Sequence, residues 1–184
     1  MGGAKSSCFW IFKTKDNIRW LRQNTGAHLH TDLIFGLPED TLDNFADSFN
    51  QLIALEPQEI QLGILKRLRG APLNRHNGHY ALRFNPQAPY NILSTSKITF
   101  NEMQQVNRFA RFWDMIGNSG RFANTLPILL GDQPFERFIQ LSEQLYQRAG
   151  SSWKIALKRQ FELVFVILTE HFEEEAGTVK QALS

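Results

Sequence analysis

Residues 28–41, His-Leu-His-Thr-Asp-Leu-Ile-Phe-Gly-Leu-Pro-Glu-Asp-Thr, carry the strongest architectural signal in the chain. They read as a strand ending at Gly36-Leu37-Pro38, with a helix beginning just behind at Asp40 or Thr41. Alternate side chains of a strand share a face. His28, His30, Asp32, Ile34 and Gly36 therefore fall on one side, and Leu29, Thr31, Leu33, Phe35 and Leu37 on the other. The second set is almost wholly apolar and belongs beneath helices. The first starts polar and ends small, the pattern of a strand facing the lumen of a (β/α) barrel, whose C-terminal end supplies a ligand site. Gly36 is expected to admit a ligand or loop close to the backbone, and Pro38 to fix the turn. The N–H groups opening the next helix would suit an anion, although Glu39, Asp40 and Asp43 compete for that place.

Outward from this stretch the elements alternate. Residues 14–23 have Ile18, Trp20 and Leu21 at near-helical spacing, with Thr14 or Asp16 as cap and Gly26 as stop. Leu42, Phe45, Phe49, Leu52 and Ile53 form the apolar stripe of a helix that Pro57 ends. Residues 59–68, EIQLGILKRL, fit a second strand. Helix, strand, helix, strand with short loops signals parallel βαβ construction. Parallel sheets are covered on both faces and built from many strands, so one helix between two strands is an incomplete unit.

Residues 71–98 read as an irregular connection, rich in Pro, Gly and Asn, with a short strand near Tyr80 to Phe84. From Thr99 the pattern is helical. Met103, Val106, Phe109, Ala110 and Trp113 form one stripe, closed by Gly117-Asn118-Ser119-Gly120. A helix is predicted over 134–148 and a last one over 152–175, with Glu173-Glu174-Glu175 as its polar end. Phe109, Phe112, Trp113 and Phe122 read as core.

Composition narrows the function classes. The 184 residues are 42% hydrophobic and 21% charged, which places the chain among globular proteins. A net charge of +2 does not by itself argue for nucleic acid. The single cysteine, Cys8, reads as an ordinary thiol; it excludes an internal disulfide framework and fits a reducing cytoplasm. It also excludes a thiolate-ligated zinc or iron–sulfur centre built from this chain alone. No signal peptide is evident, and the most apolar run, Phe161 to Leu168, is broken by Glu162 and far short of the roughly 20 residues of a membrane span. His28, His30 and Asp32 lack an apparent further ligand for a metal, so hydrogen bonding inside a barrel is the better reading.

DLIFGLPEDTLDNF, from Asp32 to Phe45, resembles the fifth-strand motif D-x-I-x-G-x-P-G-E-T of radical S-adenosylmethionine enzymes. HLHTDLIFGLPEDTLDNFADSF, EIQLGILKRLRGAP, PYNILSTSKITF and RFARFWDMIGNSGRF, in that order, resemble the C-terminal half of a cobalamin-binding family of these enzymes, in which a helical domain of uncharacterised function follows the barrel. The resemblance implies an α/β part followed by an all-α part: a C-terminal fragment of a partial (β/α) barrel over 1–70, a connection over 71–98 and a helical domain over 99–184. It implies S-adenosylmethionine contacts at Ile34, which matches the position packed on adenine, and at Gly36, Leu37 and Asp32. It implies substrate or lumen positions at His30, His28, Gln61 and Gly63, and a strand-closing loop at Gly70 and Pro72. The family's cofactors are S-adenosylmethionine, a 4Fe–4S cluster and cobalamin. The C-x-x-x-C-x-x-C cluster motif and the cobalamin domain are expected upstream, on an N-terminal barrel half from the same gene or a separate subunit. The chain alone is then expected to shape part of a pocket and to have no catalytic or metal-ligating residue of its own. Two positions depart from the family pattern: Glu39 stands where Gly is usual and Asp40 where Glu is usual. The rival expectation is a non-catalytic binding module, docking a protein or nucleic acid through Arg67, Arg69, Arg108 and Arg111. Lys66, Arg67, Arg69, Arg75 and His76 otherwise read as a solvated basic loop.

Overall fold

The computed structural model describes residues 4–184. A long helix α1 (Ala4–Asn24) leads into strand β1 (His30–Phe35), helix α2 (Leu42–Ile53) and strand β2 (Glu59–Ile64). A short 3-10 turn (Pro72–His76) follows, then a small hairpin of β3 (Arg83–Phe84) and β4 (Ile92–Ser94). The rest is helical: α3 (Phe100–Ile116), α4 (Leu126–Leu130), α5 (Pro134–Ala149), α6 (Leu157–Glu170) and α7 (Ala176–Ala182). Among the described residues no helix is long and apolar enough to cross a membrane. Cys8 lies outside the residues whose side chains are described.

β1 and β2 pair in parallel, with Asp32 opposite Gln61 and Ile34 opposite Gly63. They form a two-stranded sheet, and no further strand joins it among the described residues. Phe35, at the end of β1, is fully buried against Phe45 of α2, ring centroids 4.9 Å apart. α2 carries its stripe on to the helical half, where Phe49 meets Phe109 and Trp113 edge-on at 5.0 and 4.9 Å. The α/β segment and the helices therefore share one core. Phe109, Phe112, Trp113 and Phe122 all belong to it.

Side-chain caps explain several element ends. Thr41 accepts from the N–H of Asn44 and starts α2. Asn50 of α2 accepts from the N–H of Phe135, 2.9 Å, capping α5 from a neighbouring helix. At α3, Thr99 and Glu102 form a capping box. The Thr99 hydroxyl, then its backbone N–H, hold the Glu102 carboxyl below the usual glutamate range. A lowered folded pKa means stability that is present above the ordinary glutamate pKa and lost as pH falls through the folded value. Thr99→Ala is expected to cost about 1 kcal/mol near neutral pH and to flatten that acid-side loss. Urea midpoints measured from neutral to acid pH check both effects.

The last predicted helix, 152–175, is shorter at both ends, and a separate helix, α7, follows beyond it. α6 starts at Leu157 because residues 150–156 turn, with Lys154 at φ 55°. It ends at Glu170, and Glu173 follows at φ 56°. The acidic run is thus a connector: Glu174 pairs with Arg137 at 2.7 Å, and Glu175 caps α7 through the N–H groups of Gly177 and Thr178. α4, α7 and β4 are elements that the sequence pattern did not reveal.

Candidate functional site

The two faces of the β1–β2 sheet differ as alternation demands. Thr31, Leu33 and Phe35 turn toward the core, while His30, Asp32 and Ile34 are exposed, Ile34 by 48%. Gln61 and Gly63 continue the open face on β2. A Cβ at Gly63 would lie 3.6 Å from Ile34 Cγ1, so the glycine leaves the isoleucine side accessible from above. Among the described residues the side chains of Asp32 and Gln61 have no hydrogen-bond partner, and only His30 has a charged neighbour, Glu59, at 3.6 Å. His28 lies just before the strand and is exposed. Among the described residues no group of three or more His, Cys, Asp or Glu is arranged to hold a metal ion.

The strand edges differ too. The carbonyl of Leu29 accepts from the N–H groups of Gln58 and Glu59 at the start of β2, and that of Phe35 from Leu65 N–H just past its end. The two-residue period of a ladder gives Thr31 and Leu33 the same direction, and points the backbone groups of His30, Asp32 and Ile34 away from β2. That outer edge meets no other strand among the described residues. The outer edge of β2 is closed instead by the helical half. Asn118 accepts from Ile60 N–H at 3.2 Å and donates to Ile60 C=O at 3.0 Å, and Trp113 Nε1–H donates to the same carbonyl at 3.0 Å.

The turn after β1 is held from within. Asp40 Oδ2 accepts from the N–H groups of Gly36 and Leu37, at 3.2 and 2.9 Å. Burial raises the Asp40 carboxyl above the ordinary aspartate value, outweighing the lowering by these two N–H groups. Asp40 N–H donates to Leu37 C=O at 3.1 Å, with Pro38 and Glu39 between them and Glu39 at φ 67°. That is the signature of a type II turn, whose third residue favours Gly. Glu39→Gly is therefore expected to raise stability by about 0.5–1 kcal/mol, read as a higher melting temperature. Gly36 is buried, at φ 99°, and a Cβ there would stand 2.6 Å from Ile92 Cγ2 and 3.3 Å from Met103 Cε. Its missing side chain thus makes room for β4 and α3. Leu37 is 40% exposed at the rim.

A cleft of about 970 Å³ runs from Ile34, Gln61 and Gly63 across the outer side of β2 to β4, α3 and the loop carrying Trp153. Arg108 and Arg111 of α3 line it. Arg108 makes a two-pronged ion pair with Glu143 at 2.7 and 3.0 Å, and Arg111 lies over the Trp153 ring at 3.8 Å. Arg67 and Arg69 are exposed in the loop beyond β2.

Residues 78–184 match the model of a family described as a protein of unknown function, DUF4080. The chain belongs to the DUF4080 family. No curated protein matches it. The DUF4080 segment begins within the connection and contains β3, β4 and α3 to α7. It supplies the far wall of the cleft, and Ile34, Gln61 and Gly63 come from the chain preceding it. Those three were named from the sequence and line the cleft; the Arg111–Trp153 stack and the Asn118 closure join partners that are distant in the chain and follow no motif.

Proposed function

We propose that the chain is the C-terminal part of a cobalamin-dependent radical S-adenosylmethionine enzyme. In this reading β1 and β2 are neighbouring strands of a partial (β/α) barrel, and the DUF4080 helices close its lateral edge. The observation that carries the reading is the open sheet: among the described residues the outer edge of β1 is unpaired, and the face bearing Asp32, Ile34 and Gln61 is exposed. A freestanding parallel pair would cover both.

The residues fit S-adenosylmethionine better than the other cofactors. Ile34 offers exposed apolar surface for adenine beside the side-chain-free Gly63, and the exposed side chains of Asp32 and Gln61, unpartnered among the described residues, suit the polar parts of the molecule. His30 and His28 would lie farther along the same wall. Gly36 and Leu37 would shape its rim through the turn that Asp40 holds. When bound, the cofactor supplies a sulfonium whose reductive cleavage starts radical chemistry. The cluster does not fit this chain, because three or four thiolates are needed and the sequence has one. Cluster and cobalamin would be held by a partner barrel half, so this chain orients ligands and excludes water and moves no electron itself. The substrate class is left to the cleft.

The test is anaerobic reconstitution of the chain with a barrel half carrying C-x-x-x-C-x-x-C from the same gene or its neighbour. S-adenosylmethionine cleavage is expected, and Ile34→Asp is expected to reduce it roughly tenfold or more with cluster absorbance unchanged, because a charge replaces apolar surface under the base. A fully loaded complex that never cleaves the cofactor would refute the proposal. The rival reading, a docking module using Arg67, Arg69, Arg108 and Arg111, would gain if the chain bound protein or nucleic acid alone and lost it on Arg67→Gln/Arg69→Gln.

A further inference from the structure

We infer that the cleft between β2, β4 and α3 binds a small molecule through its oxyanion, a carboxylate or a phosphate, and that Arg111 is the anchor. This does not depend on the radical-enzyme reading; it stands on how Arg111 is held. Its guanidinium lies over the Trp153 ring at 3.8 Å, a cation–π contact that fixes the plane of the group without using any N–H. Its nearest carboxylate, Asp114, is 3.8 Å from Nη1, too far for a hydrogen bond. Among the described residues the Arg111 guanidinium makes no hydrogen bond, and its Nε is buried without a partner.

Structural arginines elsewhere in the chain look different. Arg108, one turn earlier on the same helix, is satisfied by both oxygens of Glu143. Arg137 donates to Glu174 and to the carbonyls of Ile128 and Leu129. A buried donor left unmade is costly, whereas a planar fork held ready matches a carboxylate or phosphate two-pronged. A second orphan belongs to the same lining: among the described residues Asn91 Oδ1 is buried without a partner, an acceptor suited to a ligand N–H or O–H. Charge agrees. Glu143 neutralises Arg108 and Asp114 offsets Arg111, which leaves Lys66, with no ion pair among the described residues, as a surplus cation in the lining. The volume, about 970 Å³, accommodates a metabolite-sized ligand.

The test follows the Trp153 indole Nε1–H resonance by NMR, a probe in the cleft lining that the unmodified chain and all the variants share. Sodium phosphate and sodium succinate are titrated separately at constant chloride. A saturable shift with phosphate alone assigns the phosphoryl class, with succinate alone the carboxylate class, and with both a general oxyanion site. Arg111→Gln is expected to weaken binding roughly tenfold or more, Arg111→Lys to restore only part of it, and Arg159→Gln, outside the cleft, to leave it unchanged. The inference is overturned if neither anion moves the resonance saturably, or if Arg159→Gln weakens binding as much as Arg111→Gln.

Discussion

Phe109→Ala is expected to destabilise the whole chain by about 3–5 kcal/mol, in one transition that includes the α/β segment. Phe109 is fully buried on α3, and its ring meets Phe49 at 5.0 Å, Phe135 at 5.1 Å, Phe138 at 5.1 Å and Phe45 at 6.3 Å. Two of these partners belong to α2 and two to α5. Truncation therefore opens a cavity at the junction of the two parts, where both lose contacts together. Urea unfolding followed by far-UV circular dichroism and by tryptophan fluorescence should give coincident curves shifted equally. Separated transitions, only one of which moves, would show that the α/β segment and the helices fold independently.

Gly36→Ala comes next, at about 2–4 kcal/mol, from two independent sources. The first is backbone: φ 99° is strained for any residue with a Cβ. The second is contact, since the new methyl would sit 2.6 Å from Cγ2 of the fully buried Ile92. The double variant Gly36→Ala/Ile92→Ala separates them. It relieves the clash and leaves the strain, so its cost should be less than the sum of the single changes. Strict additivity would mean that Ile92 yields freely and the contact matters little.

The strand and helix periods that place β1, α2, β2, α3 and α5 were readable because burial on one side imposes them. The division of His28 to Leu37 into a core set and an open set was readable for the same reason as far as Phe35. At Gly36 the alternation stopped predicting, because the chain turns under β4 and the close neighbour is Ile92. Glu39 and Asp40 looked like departures from a motif; the structure gives each a definite part, a strained turn position and a carboxylate clamp on the strand end. β4 and α4 are too short for periodicity to register. The break before α6 was hidden because Trp153 continues the apolar stripe in sequence while leaving the helix in space to stack on Arg111. Contacts of that kind depend on tertiary placement, which no local pattern encodes.

The central claim is that the outer edge of β1 is made to receive another strand. Amide hydrogen exchange of Asp32 and Ile34 tests it most directly, in the chain alone and after adding a barrel half that carries the cysteine motif. Rapid exchange alone and strong protection in the complex is the expected result. Protection already present in the isolated chain, or rapid exchange that persists in a formed complex, would contradict it.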